Sequence, residues 1–266
     1  MQLTKLIEKI ETFAPPSLAM DWDRCGIQVA GSRSEIEKMA LALDPDEETI
    51  QKAIDLQTDF LLTHHPLALK PRLPDKPDSF YRIIKNLLTT DTILYSAHTS
   101  LDLNPQGPVS WLSGKLGLKN TSVLDPVVIN ESLRPGVHAE AGLGFTGSLP
   151  APVSFDEFCR NLKDILGIEK IIQSGDAPGM VGVISCCPGS GGDLAWKAFK
   201  AGADVFITGD LKYHQAQETC RQGCVLDVGH FILEEKMMFE WSLILKDELE
   251  GIEVVFIEGR SPFKIC

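Results

Sequence analysis

The chain has 266 residues, 44% of them hydrophobic and 23% charged, with a formal net charge of −12 at pH 7. This composition is typical of a folded globular protein and excludes disordered, collagen-like and low-complexity chains. An acidic surface repels phosphate groups, so we expect neither nucleic-acid binding nor attachment to an anionic membrane. The sequence has no apolar run of the roughly 18–20 residues that a membrane span needs, and its first residues lack the build of a signal peptide. Seven cysteines without a framework spacing favour reduced thiols and a cytoplasmic location.

Apolar residues at helical spacing predict a first helix that ends before Pro15 and Pro16. A buried strand at residues 39–43 follows, and we expect Asp44 to cap the next helix. Further predicted helices cover residues 80–88, 111–116, 154–166, 193–201, 213–220 and 231–248. Further predicted strands cover residues 60–62, 92–97, 127–129, 141–145, 170–172, 181–186, 205–208, 225–227 and 254–257. This alternation predicts an α/β fold with mixed, largely parallel sheets.

Residues 39–65 align without gaps with residues 184–210. A duplication would give two related lobes, whereas chance similarity between two strand–helix–strand units is the alternative interpretation. If the repeat is real, the pair His64–His65 in one lobe corresponds to Gly209–Asp210 in the other. The identical pairs are Lys52 and Lys197, Ala53 and Ala198, Asp59 and Asp204, and Thr63 and Thr208.

Five of the six histidines lie in or just after a predicted strand end, where open α/β sheets bind their ligands. The sixth, His138, lies in irregular sequence and is expected on the surface. The five are His64, His65, His98, His214 and His230.

Carboxylates accompany three of these histidines. Asp102 lies four residues after His98, Glu218 four after His214, and Glu234 four after His230. Residues i and i+4 share one face of a helix and can hold one metal ion. We expect such a helix after Gly229, whereas residues 97–102 are predicted to form a loop. An isolated pair of this kind also fits a solvated helix face.

The adjacent His64 and His65 suit two metal ions about 3.5–4 Å apart, each bound by one imidazole. A histidine pair of this kind also occurs in ordinary loops and cores. The combination of imidazoles with carboxylates favours Zn, Fe, Mn or Ni over Ca or Mg. The vicinal Cys186 and Cys187 are predicted to be buried thiols, and the glycine-rich residues 189–192 are predicted to form a tight turn.

Five segments resemble motifs of the Nif-three-like dinuclear-metal-centre proteins, also called GTP cyclohydrolase 1 type 2 homologues. In chain order they are WDRCGIQV at 22–29, LTHHPL at 62–67, AHTSLD at 97–102, TGDLKYH at 208–214, and DVGH at 227–230 followed by Glu234. The chain departs from the usual family residues at Arg24, Ser100, Asp210 and 108–110, none of which is an expected ligand.

The resemblance implies a Nif-three-like fold and two divalent metal ions per chain. It also implies a homohexamer whose metal sites face a central cavity. We accordingly expect a first lobe at 1–121, a second at 122–216 and a C-terminal segment, 217–266, that packs back on the first lobe. The metal ligands that the resemblance implies are His64, His65, Asp102, His230 and Glu234, with His98 at or beside the metals.

The resemblance further implies a metal-dependent hydrolase in which a water of lowered pKa attacks carbon or phosphorus. His98 and His214 are candidates for acid–base catalysis. The expected substrate is a small molecule, either GTP or another small or phosphorylated compound. The alternative is a non-catalytic, metal-holding assembly or an interaction protein.

Overall fold

A computed structural model describes residues 1–127 and 141–264. His138 and most of the strand expected at 127–129 lie outside the described residues. The chain forms two compact units: one contains residues 1–101 and the described residues from 237 onward, and the other contains the described residues of 102–236. The division into three parts expected after residues 121 and 216 stays a prediction.

The first unit is built on a five-stranded sheet. Its strands are β1 (Gly26–Val29), β2 (Lys38–Ala42), β3 (Phe60–Thr63), β4 (Ile93–Ser96) and β11 (Glu253–Phe256). They lie in the order β1-β4-β3-β2-β11. Strand β1 runs antiparallel to β4, and the other neighbouring pairs are parallel. The last strand of the chain is thus an edge strand of the first sheet.

Helices α1 (Leu3–Phe13), α2 (Glu47–Asp55) and α3 (Ser79–Thr90) belong to the same unit. Buried Leu61 and Leu94 of the sheet share one apolar cluster with Ile50 of α2 and Leu87 of α3. Burial of these side chains fixes the helices against the sheet. Because β2, β3 and β4 are parallel neighbours, their carboxyl ends meet at one edge of the sheet. The chain segments that follow these strands begin there.

Two local expectations are wrong. Helix α2 begins at Glu47 and is capped by Asp46, whose carboxylate accepts a hydrogen bond from the backbone N of Thr49 at 2.7 Å. Asp44 therefore does not cap this helix. The segment expected as a loop contains a short helix, α4 (Thr99–Asp102), because the carboxylate of Asp23 accepts a hydrogen bond from the backbone N of Thr99 at 3.0 Å.

The second unit is built on a six-stranded sheet in the order β5-β6-β8-β9-β10-β7. Strands β8, β9 and β10 are parallel neighbours, and the remaining pairs are antiparallel. These are β5 (Lys119–Pro126), β6 (Gly142–Ser154), β7 (Ile172–Ser174), β8 (Met180–Cys186), β9 (Val205–Thr208) and β10 (Cys224–Asp227). The expected α/β class with two mixed sheets is confirmed.

The helices of the second unit are α5 (Trp111–Lys115), α6 (Phe155–Leu166), α7 (Ala195–Lys200) and α8 (Tyr213–Thr219), together with the first turns of α9 (His230–Glu248). Helix α6 begins as its capping sequence predicts, since the Ser154 hydroxyl accepts a hydrogen bond from the backbone N of Glu157. Phe206 of β9, Val225 of β10 and Ala198 of α7 belong to one buried apolar cluster. Among the described residues, the structure contains no helix with the length and hydropathy required to cross a membrane.

The repeat found in the sequence has a counterpart in the hydrogen bonds of the two units. Asp59 precedes β3, and its Oδ2 accepts hydrogen bonds from the backbone N atoms of Glu37 and Lys38 at 2.8 and 3.0 Å. Asp204 precedes β9, and its Oδ2 accepts equivalent bonds from Gly182 and Val183 at 2.7 and 2.8 Å. An equivalent aspartate thus holds the backbone of the preceding parallel strand in both units, at the start of β2 and inside β8, which supports the interpretation as a repeat over chance similarity.

Candidate metal centre

Three histidines come together at the carboxyl edge of the first sheet. His64 and His65 directly follow β3, and His98 lies two residues after β4. Their ring centroids are 5.1 to 5.6 Å apart. One ligand atom from each ring lies within 4.8 Å of one from each of the others, so the group could hold a metal ion. Parallel pairing of β3 with β4 produces this proximity, because it places the ends of both strands side by side.

Each of the three imidazoles has its Nδ1 against an oxygen that can only accept a hydrogen bond. An acceptor at Nδ1 fixes the proton there and leaves the lone pair of a neutral ring on Nε2. Metal-binding histidines typically have this arrangement, since the second nitrogen is held by a carboxylate or a carbonyl. The pairs are His64 with the Ala97 carbonyl at 2.9 Å, His65 with the Asp44 carboxylate at 2.6 Å, and His98 with the Asp23 carboxylate at 3.1 Å.

Asp23 is the most constrained of these acceptors, because its side chain is fully buried. Its carboxylate also accepts hydrogen bonds from the backbone N and the hydroxyl of Thr99 at 3.0 and 2.5 Å, and from the backbone N of Arg24 at 2.7 Å. Burial alone would raise the pKa of Asp23, but the hydrogen bonds from His98 and Thr99 outweigh it and hold that pKa well below 3.8. A buried negative charge therefore orients His98.

A second group of side chains lies in the other unit. His230 begins α9, with its Nδ1 2.8 Å from Oδ2 of Asp210 and its Nε2 2.7 Å from Oε2 of Glu234. Burial lowers the pKa of His230, but the hydrogen bonds and negative charges of Glu234 and Asp210 outweigh it and raise that pKa from 6.5 to about 9. The expected i, i+4 pair on a helix is present, and the Glu234 side chain is almost completely buried.

Two glycines allow this second group to form. Gly189 has a φ of 68°, and a Cβ at that position would lie 2.5 Å from Oε1 of Glu234. A Cβ at Gly209 would overlap the backbone of His230. The glycine-rich residues 189–192 therefore form the expected turn and also make room for a carboxylate. The neighbouring Ser190 hydroxyl donates a hydrogen bond to Asp210 at 3.1 Å.

Asp102 ends helix α4 and is partly buried. Its negative charge and that of Glu234 both affect the thiol of Cys187. Burial raises the pKa of Cys187, and these two negative charges raise it further. Cys187 is thus a neutral thiol in the metal-free protein, whereas the thiolate is the form that binds metals. The residues present thus fit a metal held by imidazoles and carboxylates.

The structure places His214 differently. Its side chain is exposed on helix α8, and its ring contacts the ring of Tyr213 at a centroid distance of 5.3 Å. His214 is not part of the group formed by His230, Glu234 and Asp210. Its expected acid–base role therefore has no support from the geometry of this unit and stays a prediction.

Sequence reasoning missed three carboxylates that hold the histidines. The sequence predicts a helix cap at Asp44, and Asp23 lies 75 residues from the histidine that it contacts. For Asp210 a signal was present, since the internal repeat aligns it with His65 at the end of the equivalent strand. The other two carry no comparable pattern in the sequence.

Comparison with known proteins places this geometry in context. A family model described as Duf34/NIF3 (NGG1p interacting factor 3) matches residues 1–262. A Clostridium perfringens protein named "GTP cyclohydrolase 1 type 2 homolog" is 33% identical over 99% of this chain and 99% of its own length. A Methanocaldococcus jannaschii protein of the same name is 32% identical over 97% of this chain and 100% of its own length.

Solved structures share the fold. One described as "Reduced HcgD from Methanocaldococcus jannaschii" is 30% identical, with a TM-score of 0.81 over 97% of this chain and 98% of that one. A Bacillus cereus protein described as related to NIF3 has a TM-score of 0.86 over 100% of this chain and 99% of that one. At 20% identity, this second likeness concerns the fold alone.

Proposed function

Because the chain belongs to the Duf34/NIF3 family, we propose that it is a dinuclear metal-binding protein that acts as a metal-dependent hydrolase on a small molecule. One observation carries the proposal: His64, His65 and His98 lie together, each with its Nδ1 held by an acceptor. That arrangement prepares three imidazoles to bind a cation through Nε2. The name shared by the curated relatives, "GTP cyclohydrolase 1 type 2 homolog", supports hydrolysis as the reaction class.

The proposed ligands are those implied by the sequence resemblance: His64, His65, Asp102, His230 and Glu234. Each unit offers its own support for these ligands. In the first unit the histidines lie together, and in the second the buried carboxylate of Glu234 lies against His230. Imidazole nitrogens and carboxylate oxygens without a thiolate suit Zn, Fe, Mn or Ni.

A pair of such ions would supply a water of lowered pKa and would polarise the bond to be hydrolysed. The residues of the chain prepare the site for this chemistry. Asp44 and Asp23 fix the tautomer and the orientation of His65 and His98, so that these rings need no rearrangement when a cation binds. We propose His98 for proton transfer or for direct binding of the metal, and a His98→Gln variant separates the two roles. Loss of bound metal identifies a ligand, whereas retained metal with one limb of the pH–rate profile missing identifies an acid–base group.

We further propose that the protein is cytoplasmic, as its cysteine pattern predicts, and a homohexamer, as the resemblance implies. Sedimentation equilibrium of the full chain tests the oligomeric state, with an expected mass six times the chain mass of 29.2 kDa. A monomeric mass would contradict this part of the proposal.

The experiment that tests the function combines metal analysis with a hydrolysis screen. The purified chain is loaded separately with Zn²⁺, Fe²⁺, Mn²⁺ and Ni²⁺, and its metal content is measured beside turnover of GTP, other nucleotides and phosphoesters. We expect about two ions per chain, reduced in His64→Ala. Because His64 is fully buried, the partly exposed His65→Gln provides a second variant that leaves the core intact. His214→Ala serves as the control for metal content.

The outcomes separate the candidates. Less than about one ion per chain, unchanged by His64→Ala and His65→Gln, would contradict the metal site. Full metal content without turnover of any compound in the screen would contradict the hydrolase and favour the alternative, a non-catalytic metal-holding assembly.

A further inference from the structure

An exposed tryptophan lies directly against the histidine group of the first unit. The side chain of Trp22 is 57% exposed, and its ring contacts His98 edge-on at a centroid distance of 5.9 Å and an interplanar angle of 73°. Exposure of an indole forgoes the favourable burial of a large apolar surface. The contact with His98 therefore covers only part of a ring whose remaining surface is available to another molecule.

The segment that carries Trp22 is firmly held. The backbone N of Asp23 donates to the Met20 carbonyl at 2.9 Å, which closes a turn with Trp22 near its tip. The backbone N of Met20 donates to the Thr99 hydroxyl at 2.9 Å. The buried carboxylate of Asp23 accepts hydrogen bonds from Thr99 and His98. The indole is therefore presented to solvent at a fixed position beside His98.

We propose that Trp22 is a stacking platform for a planar heteroaromatic ring of the small-molecule substrate, an inference that rests on the proposed function. Aromatic rings in contact have centroids roughly 4.5–7 Å apart. A ring that stacks on Trp22 would thus lie about as far from the indole as His98 does, on the indole surface that His98 leaves exposed. Base–aromatic stacking tolerates different ring substituents, because every base has a π-face, which favours a nucleobase-like heterocycle over an aliphatic phosphoester.

The test compares guanosine with ribose, which lacks the base, by isothermal titration calorimetry of the metal-loaded full chain. Loss of a base–aromatic stack weakens binding by roughly 5- to 150-fold. We expect that loss of guanosine affinity in Trp22→Ala, retention of most of the affinity in Trp22→Phe, and no comparable binding of ribose. Trp196→Ala is the matched control, because Trp196 is also exposed, at 49%, but belongs to the other unit.

Metal content is measured on the same samples, so that the two proposals fail separately. Full metal content with the same guanosine affinity in wild type and Trp22→Ala would overturn the stacking role alone. Equal affinities for guanosine and ribose would also overturn the stacking role. The same holds for a change of oligomeric mass in Trp22→Ala without a change in guanosine affinity. Absence of bound metal in the wild-type chain would instead overturn the proposed function.

Discussion

Replacement of Asp23 by asparagine tests whether a buried carboxylate holds His98 in place. Oδ2 of Asp23 accepts hydrogen bonds from Nδ1 of His98 and from the backbone N of Thr99 at 3.1 and 3.0 Å, while Oδ1 accepts from the backbone N of Arg24 at 2.7 Å. An amide of the same shape offers one oxygen and one donating NH₂ group. In either orientation, at least one backbone N–H then faces another donor.

The magnitude follows from this count. A buried donor without an acceptor costs about 1–3 kcal/mol, and the hydrogen bonds that remain lose the strengthening effect of the charge. We therefore expect Asp23→Asn to lower the free energy of unfolding by about 2–4 kcal/mol. The matched control is Asp75→Asn, which removes the same charge from an exposed side chain of the same unit and should change the free energy by less than about 0.5 kcal/mol.

The assay is urea unfolding of the metal-free protein, followed by circular dichroism at a series of pH values. The folded-state pKa of Asp23 is lowered from the ordinary value of 3.8, so its contribution is fully present above pH 3.8 and is lost as the pH falls toward the folded-state pKa. The gap between wild type and Asp23→Asn should therefore be constant from neutral pH downward and narrow only below pH 3.8. Equal stability of Asp23→Asn and Asp75→Asn at neutral pH would refute the reasoning.

The same substitution reports on the proposed metal site. Loss of a group that orients a metal-binding histidine typically weakens metal affinity by about 10- to 100-fold. Competition with a chromophoric chelator measures this change in Asp23→Asn, with Asp75→Asn again as the control. Unchanged affinity would contradict the orienting role of the Asp23 carboxylate in metal binding.

Two further predictions concern other parts of the molecule. Glu47 accepts two hydrogen bonds from Arg82, which lower the pKa of its carboxyl from 4.5 to about 2. The contribution of Glu47 to stability is thus present above pH 4.5 and lost as the pH falls through about 2. Glu47→Gln should therefore have a lower melting temperature than wild type at neutral pH and the same melting temperature in strong acid. Identical melting temperatures at neutral pH and in strong acid would contradict this. Gly189→Ala should displace the carboxylate of Glu234, because a Cβ would lie 2.5 Å from its Oε1. NMR titration of the metal-free variant should then show the pKa of His230 shifted from about 9 toward 6.5, and a pKa that stays at 9 would show that Glu234 has not moved.

Elements with a strong local pattern were predictable from the sequence. Helix α6 has a capping serine and a regular apolar spacing, and β3 is a short apolar run that ends at a histidine pair. Strands β1 and β5 were not predicted. Most of β5 is exposed, and within the order of its sheet β5 is an edge strand that pairs with β6 alone. Edge strands of this kind form because a partner elsewhere in the chain offers hydrogen bonds, which a local pattern does not record.

The same distinction applies to the candidate site. The positions of His64, His65 and His98 were predictable, because ligands in α/β sheets follow the carboxyl ends of strands. Their acceptors were not, because Asp44 and Asp23 lie 21 and 75 residues from the histidines that they hold. Only the tertiary fold brings such residues together. The chemistry of the site can thus be read along the chain, whereas its orientation depends on the folded structure.

The matching aspartates of the two units also bear on how the protein has diverged. Each aspartate accepts hydrogen bonds from the neighbouring strand, at Glu37 and Lys38 in the first unit and at Gly182 and Val183 in the second. The carboxyl ends of the strands take no part in these bonds, so their residues can differ between the units. At that end the first unit has the pair His64–His65, whereas the second has Gly209 and Asp210 at the equivalent positions. Gly209 cannot readily be replaced, since any side chain there would overlap the backbone of His230. A histidine pair at these positions would require the backbone before α9 to move, so backbone packing keeps the two strand ends different.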